Sequence, residues 1–178
     1  MILITTSRRP TQRVRTLCKD LNRVLPNTIR INRGKLSIRG VTEKALEYKA
    51  DRVIIIERRK GGPGSILFYK IMLGELRQVP PLIYLKEIKT QDELGQRTRI
   101  KGSLIITTSR NPDIQIKELA SHLSDFLRIP YLEDPGNVKF QASIHISLTP
   151  EYEIKISFTM PPVVKEVGPN LIVKHASQ

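Results

Sequence analysis

Arg15, Lys19 and Arg23 stand four residues apart, the spacing that sets side chains along one stripe of a helix. Three cations in a line do one thing well, which is to hold a polyanion by its phosphates. The same stretch of chain is dense in further cations: Arg8, Arg9, Arg13, Arg30, Arg33, Lys35 and Arg39. A charged outer helix face is often merely solvated, but a stripe joined by this many neighbours reads as a contact surface. A third group, Arg58, Arg59 and Lys60, lies in "ERRKGGPGS", beside a Gly-rich tip. That loop lacks the Gly-Lys-Ser/Thr ending and following helix of a nucleotide-binding loop. It reads as a basic hairpin tip that reaches along a nucleic-acid backbone, or as a solvated turn. All of these cations are expected to contact the phosphates of a polyanionic partner. "TTSRRP", Thr5 to Pro10, adds a helix N-terminus, whose unpaired N–H groups favour anions. Thr5, Thr6 and Ser7 read as serving the turn's own backbone, and Arg8 and Arg9 as partner contacts.

No comparable constellation supports catalysis. His122, His145 and His175 are far apart without metal-ligand spacing, and Cys18 is the one cysteine. His122 falls on the polar side of a helix and His145 within a strand, both structural positions. There is no Gly-x-Ser-x-Gly elbow and no dinucleotide fingerprint. The expectation is a protein that is not an enzyme, with no metal, no cofactor and no small-molecule substrate. Aromatic residues make up 5% and Trp is absent, which argues against a broad base-stacking platform.

The elements that must position these cations announce themselves by repetition. "ITTSRRP" at Ile4–Pro10 returns as "ITTSRNP" at Ile106–Pro112, an offset of 102. The same offset carries Val14, Leu17, Leu21 and Leu25 onto Ile116, Leu119, Leu123 and Leu127, aliphatic at helical spacing in both copies. Each copy therefore reads as strand ("ILI", "SLII"), tight turn and amphipathic helix, with Pro10 and Pro112 at the helix start. Downstream, "NTIRINRG" reads as a short strand and turn and Thr42–Ala50 as a helix. "DRVIIIERR" and "SILFYKIML" make a hairpin across "KGGPG", followed by a strand in "PLIYLKEI". In the second copy "KFQASIHISL" and "EYEIKISFTM" make a hairpin with "TPEY" at its tip, and "NLIVKHA" is a last strand. That copy lacks a counterpart of the Thr42–Ala50 helix. The boundary is expected within Lys89–Gly102, giving halves 1–101 and 102–178 of an internally duplicated α/β fold that pack together.

The charge is divided unequally between them. Residues 1–101 hold 23 Lys and Arg against 9 Asp and Glu, a net of +14, whereas 102–178 hold 7 against 8, a net of −1. The stripe Arg15, Lys19, Arg23 becomes Lys117, Ser121, Asp125 in the second copy. The first half is thus basic and the second near neutral. Over 178 residues the net charge is +13 and the pI about 10.1, which points to a polyanionic partner. No apolar run reaches the length of a membrane span, and the single cysteine fits a reducing, cytoplasmic setting.

The residues that carry the repeat also carry a resemblance. "ILITTSRRPTQRVRTLCKDLNRVLPNTIRINRG", "ERRKGGPGSILFYKIMLG" and "GSLIITTSRNP" resemble the Brix-domain proteins of ribosome assembly, and "RVLPNTIRINRG" the small-subunit processome branch. The resemblance implies a duplicated fold, each half similar to the anticodon-binding domain of class II aminoacyl-tRNA synthetases. It also implies a ribosome biogenesis factor that binds precursor ribosomal RNA, beside a ribosome-assembly partner protein. Charged extensions typical of eukaryotic members are absent, as expected of a stand-alone archaeal form. The function expected is non-catalytic scaffolding of ribosomal RNA, the alternatives being a tRNA-binding module or a scaffold that docks a partner peptide.

Overall fold

Ile2–Thr6 (β1) is buried at every position, the mark of a parallel strand covered on both faces. It pairs in parallel with Thr28–Arg30 (β2) on one side and Arg52–Arg59 (β3) on the other. Gln12–Val24 (α1) lays Val14, Leu17, Cys18, Leu21 and Val24 over Ile2, Ile4, Ile54 and Ile56. Ile38–Glu47 (α2) covers the opposite face, packing Val41 and Ala45 on Leu3, Val53 and Ile55. Successive strand residues point to opposite faces, which is why the apolar runs serve two covers at once. The structure, a computed structural model, describes residues 1–60, 62–161 and 165–177. Gly61, within the expected "KGGPG" hairpin tip, lies outside the described residues.

From β3 the chain continues as an antiparallel ribbon through Gly62–Met72 (β4) and Glu75–Lys89 (β5). The remainder comprises Leu104–Thr108 (β6), Ile114–Leu127 (α3), Tyr131–Leu132 (β7), Ala142–Leu148 (β8), Ile154–Met160 (β9), Lys165–Glu166 (β10) and Asn170–Ser177 (β11). All strands share one sheet of order β2-β1-β3-β4-β5-β11-β9-β8-β6-β7, with β10 beside β9. The strand order either side of the β5–β11 contact corresponds, and so do the registers. Ile2 pairs with Arg52 and Leu104 with Ala142; Ile54 pairs with Phe68 and Ile144 with Phe158.

The sequence offset between corresponding residues is 102 at β1 and β6 but 90 at β3 and β8. The missing residues correspond to α2, and no helix occurs among residues 133–141. Without that cover, the sheet face changes chemistry. Val53, Ile55, Leu67 and Tyr69 give way to Ser143, His145, Ser157 and Thr159. These bond to one another: Ser143 Oγ to Thr159 Oγ1 at 2.8 Å and His145 Nδ1 to Thr107 Oγ1 at 3.0 Å. Burial, then the nearby Lys155 charge, pushes the His145 pKa down.

Three expectations about element ends are corrected. The second helix runs Ile38–Glu47 rather than Thr42–Ala50, because the Ser37 hydroxyl accepts from the Gly40 N–H at 3.0 Å and caps it earlier. Pro10 and Pro112 do not open their helices; Thr11 and Asp113 cap them, accepting from Val14 and Ile116 N–H groups. The strand expected at "PLIYLKEI" begins at Glu75, since Pro80 and Pro81 fall where the β4 register shifts and need no ladder N–H.

Candidate nucleic-acid interface

Where β1 ends, the chain must turn from strand to helix within a few residues, and its own hydroxyls make the turn. Thr5 Oγ1 donates to Ile31 O at 3.1 Å and Thr6 Oγ1 to Ser7 O at 3.1 Å. The Ser7 N–H donates to Ile56 O at 2.9 Å, and Ser7 Oγ accepts from the Arg58 N–H at 3.4 Å. The turn thereby sets Arg8 beside the carboxyl ends of β1 and β2, the end of a parallel sheet where ligand crevices form.

Five of the expected cations meet there. Arg8 from the turn, Arg15 and Lys19 from α1, and Arg30 and Arg33 from the end of β2 line one groove of about 430 Å³. None of the described residues lining it is acidic. Gln12 and Asn32 add amide groups, Asn32 accepting from Arg30 Nη1 at 2.9 Å. Arg33 is buried, its Nε donating to Leu36 O at 2.8 Å, and Arg8 Nε reaches the same carbonyl at 3.4 Å. Burial, and next the Arg8 charge, pushes the Arg33 pKa down, with Glu57 opposing.

The other expected cations lie outside the groove. Arg9 and Lys35 are exposed, as is Lys60 at the hairpin. Arg13 is paired with Glu93, and Arg39 with Glu43 at 3.2 Å. Arg58 is exposed beside Ser7. Arg59 does not extend along the hairpin tip; its guanidinium sits 4.4 Å from the centre of the Tyr84 ring. Arg23 turns inward, donating to Asp20 Oδ1 and Gln91 Oε1, each at 3.3 Å. Asp20 is buried, and its other oxygen accepts from the Gln91 N–H at 2.9 Å. Burial pushes the Asp20 carboxyl up, against the Gln91 amide and Arg23, which favour its charged form. Gln91 Nε2 continues to Thr98 O and Val167 O at 2.8 and 2.7 Å, tying α1 to the segment between the halves. Arg23→Gln is therefore expected to cost about 1–2 kcal/mol of stability while changing RNA affinity less than twofold or so, checked by thermal melts and fluorescence anisotropy.

The corresponding place in the second half is self-neutralised. Lys117, the counterpart of Arg15, bonds Glu133 at 3.1 Å. Tyr131, at the register position of Arg30, donates to the same carboxylate at 3.5 Å. Cys18 is buried, which pushes its thiol up to about 12, and no cluster that holds a metal occurs among the described residues.

Sequence reasoning missed Gln12, although it precedes Arg15 by three residues and shares its helix face. It also missed Asn32, Tyr84, and the buried pair Asp20 and Gln91, which 71 residues separate.

Several known proteins are similar to this chain. A probable Brix domain-containing ribosomal biogenesis protein of Methanopyrus kandleri is 35% identical over 141 residues, covering 76% of this chain and 71% of its own length. Proteins of the same description from Thermococcus kodakarensis and Pyrococcus horikoshii are 36% and 37% identical over 118 and 114 residues, 64% and 62% of this chain, which spans 56% and 50% of their lengths. The crystal structure of a probable ribosomal biogenesis protein from Aeropyrum pernix matches 97% of this chain and 94% of its own, with TM-score 0.79 and 24% identity. An archaeal Imp4-like protein matches 98% of both chains with TM-score 0.66 and 22% identity. At such identities the likeness is one of fold. No protein-family model matches the chain.

Proposed function

The chain belongs to the Brix domain-containing ribosomal biogenesis proteins, and from that premise we propose that it binds precursor ribosomal RNA through the groove between α1 and β2 and acts as a non-catalytic scaffold. The observation that carries this reading is the groove itself: five cations, two amides and no carboxylate, on the half of the chain whose net charge is +14. Phosphates are held there by Arg8, Arg15, Lys19, Arg30 and Arg33 while the RNA folds or meets other factors. Arg9, Arg13, Lys35, Arg39, Arg58 and Lys60 supply a wider positive field that steers association. A ribosome-assembly protein is the partner proposed beside the RNA. No helix of the described residues is long and apolar enough to cross a membrane.

The fold is read as an internal duplication, with halves 1–101 and 102–178 each built like an anticodon-binding domain of class II aminoacyl-tRNA synthetases. Supporting this are the corresponding strand orders, the shared registers and the caps Thr11 and Asp113 at equivalent positions.

The test is a salt titration with ribosomal RNA fragments, joined to crosslinking from cells and sequencing of the bound RNA. Five phosphate contacts give a slope of log affinity on log salt of about −3 to −4, and ribosomal sequences dominate the crosslinked RNA. A flat salt dependence sinks the phosphate-contact mechanism. Predominantly tRNA reads favour a tRNA-binding module, and no RNA at all favours peptide docking.

A further inference from the structure

The sheet face opposite α1 and α3 carries a row of side chains that crosses from one half to the other. Glu57 of β3 pairs with Ser65 of β4, Ser65 with Tyr84 of β5, and Tyr84 with His175 of β11. The Tyr84 and His175 rings are stacked, 5.3 Å between centroids and 7° from parallel. Arg59 lies over the Tyr84 ring at 4.4 Å, so a guanidinium and two rings form one column. α2 covers Leu3, Val53 and Ile55 further along this face, leaving Tyr84 half-buried and His175 exposed.

We propose that this column is a base-stacking site for single-stranded RNA, in which an unpaired base lies on the exposed His175 ring. The inference rests on the RNA-binding reading of the groove and extends it to the seam of the two halves. Three observations carry it. The column is already assembled without a ligand, Arg59 lying over Tyr84 and His175 stacking on it, so a base that stacks meets a preformed surface. Stacking tolerates any base, since each has a π-face, and Arg contributes through cation–π contact. The column is also tied to the groove through the chain: Arg59 follows Arg58, whose N–H bonds Ser7 in the turn that carries Arg8. Glu57, the carboxylate at the start of the row, is half-buried and supports the charge of Arg33. Three strand spacings of about 4.8 Å separate β3 from β11, a distance that an extended single strand leaving the groove spans with a few nucleotides. A base-paired duplex keeps its bases in its own stack and gains nothing at His175. The single-stranded character of the ligand follows from that difference.

The probes are an unstructured oligouridylate of about ten nucleotides, carrying one 2-aminopurine, and a fully paired RNA duplex of the same length. For the full chain, His175→Ala is expected to weaken the single strand about tenfold and the duplex less than about twofold, with an unchanged melting temperature. His175→Phe restores the single-strand affinity, and 2-aminopurine fluorescence is quenched by the wild type and by His175→Phe but not by His175→Ala. Equal losses on both probes, or no loss while the wild type binds the single strand, overturn the stacking site and leave the groove standing. Failure of the wild type to bind either RNA overturns the groove reading itself, and this inference with it.

Discussion

Changing Arg8, Arg15, Lys19 and Arg30 together to Gln is expected to lower affinity for ribosomal RNA by between about a hundredfold and a thousandfold near 0.1 M salt. The magnitude follows from counterion release: four phosphate contacts on single-stranded RNA contribute a salt slope of about 3, hence nearly three decades per decade of salt. The slope of the variant should fall by the same amount, a signature that unfolding does not mimic. Gln suits the exposed helix positions of Arg15 and Lys19 almost as well as the residues it replaces. The apolar face of α1, Val14 to Val24, is untouched, and Thr11 still caps the helix. Arg33 is left in place because it is buried and bonded to Leu36 O, so its removal would confound binding with folding.

The matching control lies in the second half, where Arg110→Gln with Lys117→Gln removes the counterparts of Arg8 and Arg15. The Lys117 charge is already paired with Glu133 at 3.1 Å, and only phosphates that outcompete that carboxylate gain from it. The loss expected per charge is well below that in the groove, about twofold in total. Equal losses per charge would mean that RNA contacts both halves. Filter binding at three salt concentrations, with circular dichroism on each variant, separates these results.

The difference in charge between the two helices was legible in the sequence because helix faces are local. Arg15, Lys19 and Arg23 against Lys117, Ser121 and Asp125 differ within one helix, and the period of 3.6 places them without further information. Yet the stripe alone did not show that Arg23 turns inward, since its partner Gln91 lies 68 residues away in the segment where the boundary was expected. The hairpins were visible as apolar runs flanking short turn segments, whereas the pairing of β5 with β11 is a long-range choice that no local pattern encodes. The column of Arg59, Tyr84 and His175 was hidden for the same reason. Its three members come from three strands, and low aromatic content had argued only against a broad base-stacking platform, which says nothing of two rings that strand registers bring together. The offset change from 102 to 90 was readable in principle, since Ile66 and Phe68 recur as Ile156 and Phe158. Without the strand registers, nothing distinguishes that recurrence from chance.

Replacing Phe126 by Ala is expected to lower the unfolding free energy by about 3–5 kcal/mol and the melting temperature by about 10 °C, in one transition that includes both halves. Phe126, on α3 of the second half, is fully buried and meets Phe68 of the first half edge to face, 4.9 Å between centroids. Arg52, also of the first half and buried, places its guanidinium 5.9 Å from the Phe126 ring and donates to the Phe126 carbonyl at the end of the helix. The ring thus sits where α3 packs on β4 and Arg52, and its loss leaves a cavity in the buried core. Around it, Leu21 and Leu25 of α1 share one apolar cluster with Leu123 and Leu127 of α3. A core shared in this way cannot melt on one side alone. RNA binding by the groove, which lies wholly in the first half, should therefore be lost at the same denaturant concentration as the circular dichroism signal. Two separate transitions, with only the second-half signal shifted by Phe126→Ala, would show instead that residues 1–101 and 102–178 fold on cores of their own.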